Sequence, residues 1–338
     1  MNRFIQFCIL WAMSLLIISC SCNQSKKDEK IDSPKIDTTV RIKIKRYEKA
    51  LFNLNKKDLQ NELKRIKPEY GFFLDGDLDD KANMKQLSSY VNDPQMIENY
   101  NEVQKKFPNL TQLERELSSA LSYFKFYFPN RKIPQVYTYV CGMDFENPII
   151  YADSVLMIAL DMYLGGKYKL YTSFGLPNFI KNNMSGEYIT RDCINAMANY
   201  YCYTDMKNSS CLDNMVYNGK IQYFIDAMLP ELNDTIKIKY TKKQLTWCYD
   251  NEARMWAFFI DNKLLYSKES NSFNKFFDPG PFTTSFSKTS PPRTGTWVGW
   301  RIVRALMRQN NEMNLKQLIE VKDAQKILKL SKYKPAKV

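Results

Sequence analysis

The sequence contains no histidine. That absence removes the most common general base and proton shuttle, the most common zinc ligand, and every Ser–His or Cys–His nucleophile arrangement. Only acid–base chemistry built on carboxylates, lysine or tyrosine survives it. The cysteines do not restore a metal site. Beyond the first 22 residues they are Cys141, Cys193, Cys202, Cys211 and Cys248, and no two of them form a CxxC pair. Phosphate-cradling loops are also missing. The one glycine pair, Gly165-Gly166, has neither a GxGxxG nor a GKS context and reads as a tight turn. No internal repeat is present, and the only long apolar run is at the start.

With 338 residues, 44% of them hydrophobic and 14% aromatic, the chain can bury a large core. Lysine and arginine number 49 against 36 acidic residues, a formal charge of +13. The excess is spread along the chain, which describes either a lysine-rich solvated surface or, functionally, attraction to an anionic membrane surface or polyanion.

Residues 1–19 carry Arg3 and then a mostly apolar run over residues 4–18, the length of a signal-peptide core and short for a membrane span. It ends Ile17-Ile18-Ser19-Cys20, which resembles a bacterial lipobox. Cleavage before Cys20 would leave that residue to carry the lipid anchor. Export excludes nucleic acid as a partner. Ser21 follows Cys20 where an aspartate would signal inner-membrane retention, which favours the outer membrane. Residues 20–38 are polar, with Lys26-Lys27-Asp28-Glu29 among them, and read as a flexible tether. Residues 39–338 read as a single domain.

Within that domain, residues 39–47 alternate Val40, Ile42 and Ile44 with Arg41, Lys43 and Lys45, the pattern of a half-buried strand. A helix carrying Leu59, Leu63 and Ile66 is expected to stop at Pro68. Asp75, Asp77, Asp79 and Asp80 lack the later glycine and closing glutamate of an EF-hand and read as a solvated acidic loop. Thr111 and Glu114 form a capping-box pattern before a helix that ends at Pro129. Residues 134–141 and 155–160 read as strands. From residue 190 onward the chain reads as helical, over residues 190–203 and 212–229, then after a second capping box at Thr241 and Gln244, and finally in two short helices over residues 313–330. The fold class is α+β, predominantly α-helical with a small β-sheet.

The most distinctive stretch is PPRTGTWVGWRIVRALM, residues 291–307. Two prolines and Arg293 form a rigid turn, and a helix follows with Trp297, Trp300, Arg301 and Arg304. As an interaction motif these residues would form an exposed aromatic and basic patch; as core, both tryptophans would be anchors and Gly299 would admit a close neighbour. Cys202 and Cys211 are the candidate disulfide. Asp250 with Glu252, and Glu187 with Asp192, are the carboxylates available for acid–base work.

Several segments together resemble the gliding-motility lipoprotein GldB family of Bacteroidetes. They are RYEKALF at residues 46–52, IALDMYLG at 158–165, VYNGKI at 216–221, QLTW at 244–247 and residues 291–307. The resemblance implies an envelope lipoprotein associated with gliding machinery and its linked secretion system; with the lipobox and the missing histidine, the expectation is a non-catalytic protein acting through protein partners, without a cofactor or metal. It also implies a zincin-like scaffold lacking its metal site, with Asn195 and Asn199 where a zincin helix carries its two histidines. The alternatives are an envelope hydrolase working through carboxylates and an aromatic-rich ligand- or glycan-binding module.

Overall fold

The segment leading into the sheet is first held by a helix and only then pairs with another strand. In this computed structural model, which describes residues 34–36 and 39–335, the N–H groups of Val40, Ile42 and Ile44 donate to Ser122 Oγ at 2.9 Å, Ser118 Oγ at 2.9 Å and Glu114 Oε1 at 3.0 Å. Those three acceptors lie four residues apart. Four helical residues rise about 6 Å and two extended residues advance about 6.6 Å, so the two ladders stay in register. The alternation at residues 39–47 is therefore real, but only Ile44–Arg46, strand β1, pairs with another strand. The expected capping box at Thr111 does not form: Leu110 occupies the cap position and makes no side-chain bond. Glu114 is occupied by Ile44 and by Lys43, whose Nζ lies 3.6 Å away.

Helices α1 (Tyr47–Phe52), α2 (Leu59–Tyr70), α3 (Lys81–Asn92), α4 (Pro94–Lys106) and α5 (Thr111–Tyr127) follow β1. Helix α2 runs through Pro68 instead of stopping there. The proline sits in the last turn, where the missing N–H forfeits a single bond, and burial of Ile66 and Tyr70 holds that turn in place. Strands β2 (Gln135–Tyr139), β3 (Ile149–Ala152) and β4 (Val155–Ala159) complete a mixed sheet in the order β1-β2-β4-β3. β1, β2 and β4 are parallel, while β3 returns antiparallel to β4. In register, Val136 faces Leu156 and Tyr137 faces Met157. Alternation then divides two cores: Ile44, Val136, Leu156 and Ile158 pack with Leu113 and Leu117, whereas Tyr137 and Met157 pack with Tyr47, Leu63 and Tyr70.

Short helices α6 (Lys169–Ser173) and α7 (Asn178–Lys181) lead into α8 (Ile189–Tyr201), α9 (Cys211–Met228), α10 (Asp234–Ile238), α11 (Lys242–Asp261), α12 (Ser270–Phe273), α13 (Thr294–Gln309), α14 (Leu315–Glu320) and α15 (Ala324–Ser331). The expected capping box of α11 forms through Thr241 and Gln244. At Gly165-Gly166 the chain turns tightly, and a Cβ on Gly166 would lie 2.7 Å from the Lys181 carbonyl oxygen. Among the described residues no helix is long and apolar enough to cross a membrane. The expected signal peptide at 1–19, Cys20 and all of the expected tether except residues 34–36 lie outside the described residues.

The largest core belongs to the helices after residue 190, and α9 and α13 are its axis. A Cβ on Gly219 would stand 2.3 Å from the Gly299 carbonyl oxygen, and one on Gly299 would stand 1.8 Å from the Met215 carbonyl oxygen. The backbones meet directly, which only glycine at both positions permits. Trp297 and Trp300 are fully buried on this axis, and Tyr249 meets the Trp297 ring edge-on at 5.6 Å. Of the two readings of the tryptophans, their burial supports core anchors and not an exposed patch. Trp300→Ala should lose about 3–5 kcal/mol of stability, measured by urea unfolding. A loss below about 1 kcal/mol would show that the ring is dispensable to the core.

Candidate functional site

Helix α13 carries charge into the core from its own sequence. Arg304 is one helical turn beyond Trp300, and its guanidinium lies 3.8 Å over that ring. Its Nε and Nη2 donate to the two oxygens of Asp226 at 2.8 and 2.7 Å, and Nη1 and Nη2 donate to those of Asp234 at 2.6 and 2.8 Å. Lys237 Nζ lies 3.0 Å from Asp226, and Trp300 Nε1 donates to Asp226 at 2.7 Å. All five side chains are buried. Two carboxylates face two cations, so the group is neutral and Asp226 is fully bonded. Burial alone would raise the Asp226 carboxyl, but Arg304, Lys237 and Trp300 outweigh it and hold it below the usual carboxylate range. The arrangement fixes α9, α10 and α13 to one another.

The remaining members of the motif separate. Arg301 is half-buried, donates to Glu252 Oε1 at 2.9 Å, and lies over the rings of Tyr249 and Trp297. Tyr333 OH also donates to Glu252, at 2.9 Å. Asp250 is exposed, so the Asp250–Glu252 pair is not assembled. Cys202 and Cys211, the candidate disulfide, are instead buried free thiols, and burial pushes both up to about 12. Asn195 is half-buried and Asn199 exposed. In the acidic loop, Asp80 caps α3 through the N–H groups of Ala82 and Asn83, and Asp79 pairs with Lys64. Among the described residues no group of three or more acidic, cysteine or histidine side chains could hold a metal ion.

Arg293 alone leads to a cavity. The pocket encloses about 560 Å³ between the 3-10 turn after β4, the start of α8, the residues joining α10 to α11, and the loop before α13. At its floor Asp192 accepts from Arg191 Nη1 at 3.1 Å, from Tyr163 OH at 2.9 Å and from Lys239 Nζ at 2.8 Å. Burial opposes the Asp192 charge, but Lys239 and Arg191 override it and keep the carboxyl low. Glu187 is exposed and bonds Ser185, so the Glu187–Asp192 pair is not assembled either. Arg293 Nη2 donates to the Ile238 carbonyl at 2.6 Å, and the guanidinium lies 5.7 Å over the Tyr240 ring. Lys239 lies 5.4 Å over the Tyr188 ring. Phe145, Met162, Phe179 and Ile180 form an apolar wall. Lys239, Tyr163 and Arg191 were not foreseen as neighbours of Arg293. The one local signal was position: Arg293 is the N-cap of α13, and Lys239 lies in the short link between α10 and α11.

A family model described as gliding motility protein GldB matches residues 24–335. The chain belongs to the GldB family. No curated protein and no solved structure matches it. The match spans the sheet, both charged groups and α13, so the architecture described here is that of a GldB-family domain, in a family named for gliding motility and for lipoproteins.

Asp226→Ala leaves Arg304 and Lys237 buried with one carboxylate between them and should destabilise the domain by about 3–5 kcal/mol at pH 7. The native carboxyl lies below its unfolded value near 4, so its stabilisation is present above about pH 4 and is lost as pH falls through the folded value. Denaturant midpoints between pH 7 and pH 2 should therefore fall less steeply in the variant. An equally steep fall would assign the acid sensitivity elsewhere.

Proposed function

We propose that the protein is an envelope lipoprotein of the gliding apparatus and its linked secretion system, anchored through Cys20 in the outer membrane, working by binding protein partners and not by catalysis. Family membership over residues 24–335 and the Ile17-Ile18-Ser19-Cys20 lipobox support the anchoring. The observation that carries the non-catalytic reading is the commitment of the candidate carboxylates. Glu252 is held by Arg301 and Tyr333, and Asp192 by Arg191, Tyr163 and Lys239. Asp192, kept ionised by Lys239 and Arg191, is a poor proton donor and a weak base, and the Glu252 Oε1 that would take up a proton already accepts two hydrogen bonds. No histidine stands anywhere in the chain to replace them.

The test joins anchoring to chemistry. Cys20→Ala should abolish acyl labelling and release the protein from the membrane fraction; persistent labelling would sink the lipobox assignment. Asp192→Asn and Glu252→Gln, at normal abundance, should leave gliding and secretion intact. Hydrolysis of envelope peptide or glycan by the purified protein, abolished by Asp192→Asn without loss of folding, would make it an enzyme.

A further inference from the structure

We infer that the pocket beside Arg293 is a binding site for a small organic anion, a carboxylate or phosphate monoester carrying an aromatic or short aliphatic body. The inference stands on the pocket alone and goes beyond the partner-binding role. Its first support is a charge imbalance. Arg191, Lys239 and Arg293 bring three cations to one carboxylate, Asp192, whose oxygens are already taken by Arg191, Lys239 and Tyr163. Among the described residues Arg293 makes one hydrogen bond, from Nη2 to the Ile238 carbonyl, which leaves Nε and Nη1 to face the pocket. The neutral group around Arg304 shows how this fold closes a charge cluster when no ligand is to be admitted. Here it leaves one open.

Backbone geometry is the second support. Lys239 and Arg293 both adopt left-handed conformations, with φ of 58° and 53°. For a side chain with a Cβ this conformation is strained, and such strain gathers at functional sites. Both cations are thus placed on the pocket by conformations that local preference disfavours. Burial also lowers both groups from their ordinary values, which an incoming anion would reverse. The third support is shape: a volume of about 560 Å³ suits a small ligand, and the apolar wall faces the cations. A planar guanidinium with free donors matches carboxylate and phosphate alike.

The test is titration calorimetry of the lipidated full chain in detergent, with phenyl phosphate and phenylacetate as probes, 2-phenylethanol as the neutral comparison, and protein-free micelles as the blank. One saturable site should appear for at least one anion, with binding of the alcohol at least tenfold weaker. Whichever anion binds more tightly identifies the headgroup chemistry. Arg293→Gln should weaken binding tenfold or more, and Arg293→Lys should restore part of it. Lys239→Gly, which suits the left-handed backbone and leaves Asp192 paired with Arg191, should weaken it at least threefold and decides the matter if Arg293→Gln does not fold. No saturable heat from either anion, equal affinity for the alcohol, or unchanged binding in a folded Lys239→Gly protein would overturn the inference.

Discussion

The direct meeting of the α9 and α13 backbones is the constraint on which the C-terminal core depends. Gly219 and Gly299 each stand where a methyl group would overlap the other helix's backbone. At that separation the side chains flanking the glycines are forced sideways. Trp300 and Arg304 then fall on the side where α9 offers Asp226, and their hydrogen bonds to it are short. Moving α13 outward by the width of a methyl would stretch those bonds together. Asp226, Lys237 and Arg304 would then be buried charges with weakened partners, a costly state in a low-dielectric interior.

The same helix explains why one end of the domain is closed and the other open. Arg304 lies deep along α13 and is neutralised in a cluster that excludes further partners. Arg293 stands at the N-cap of α13, left-handed, with one backbone carbonyl as its acceptor. The PPR turn that starts the helix therefore also supplies the pocket's cation. The lysine opposite reaches the pocket by the same device, a left-handed residue between two helices, α10 and α11.

Much of the fold was legible locally. Helix ends at Thr241, Cys211 and Ile189 fell within a residue or two of their sequence signals, because caps and apolar stripes are short-range features. Departures occurred where a distant residue outbid a local one. Glu114 is a good capping-box residue by spacing, yet the N–H of Ile44 claims it from 70 positions away. Residues 39–43 alternate like a strand, but their partners are hydroxyls on a helix. Strand β3 was missed although Ile149 and Ile150 follow Pro148, because a four-residue strand carries little periodic signal. Of the motif in residues 291–307, Gly299 pointed to close packing and the tryptophans to the core, both from residue type alone. That Arg293 would face Lys239 and Asp192 depends on long-range assembly, and no spacing in the chain encodes it.

Gly299→Ala tests the organising contact most directly, with Gly280→Ala as the comparison because a Cβ there would meet nothing nearer than 3.6 Å. In urea unfolding followed by tryptophan fluorescence, Gly299→Ala should lose more than about 3 kcal/mol or fail to fold. Gly280→Ala should stay within about 0.5 kcal/mol of the native protein. A Gly299→Ala protein as stable as the Gly280→Ala protein would contradict the claim that the α9–α13 backbone contact holds this domain together.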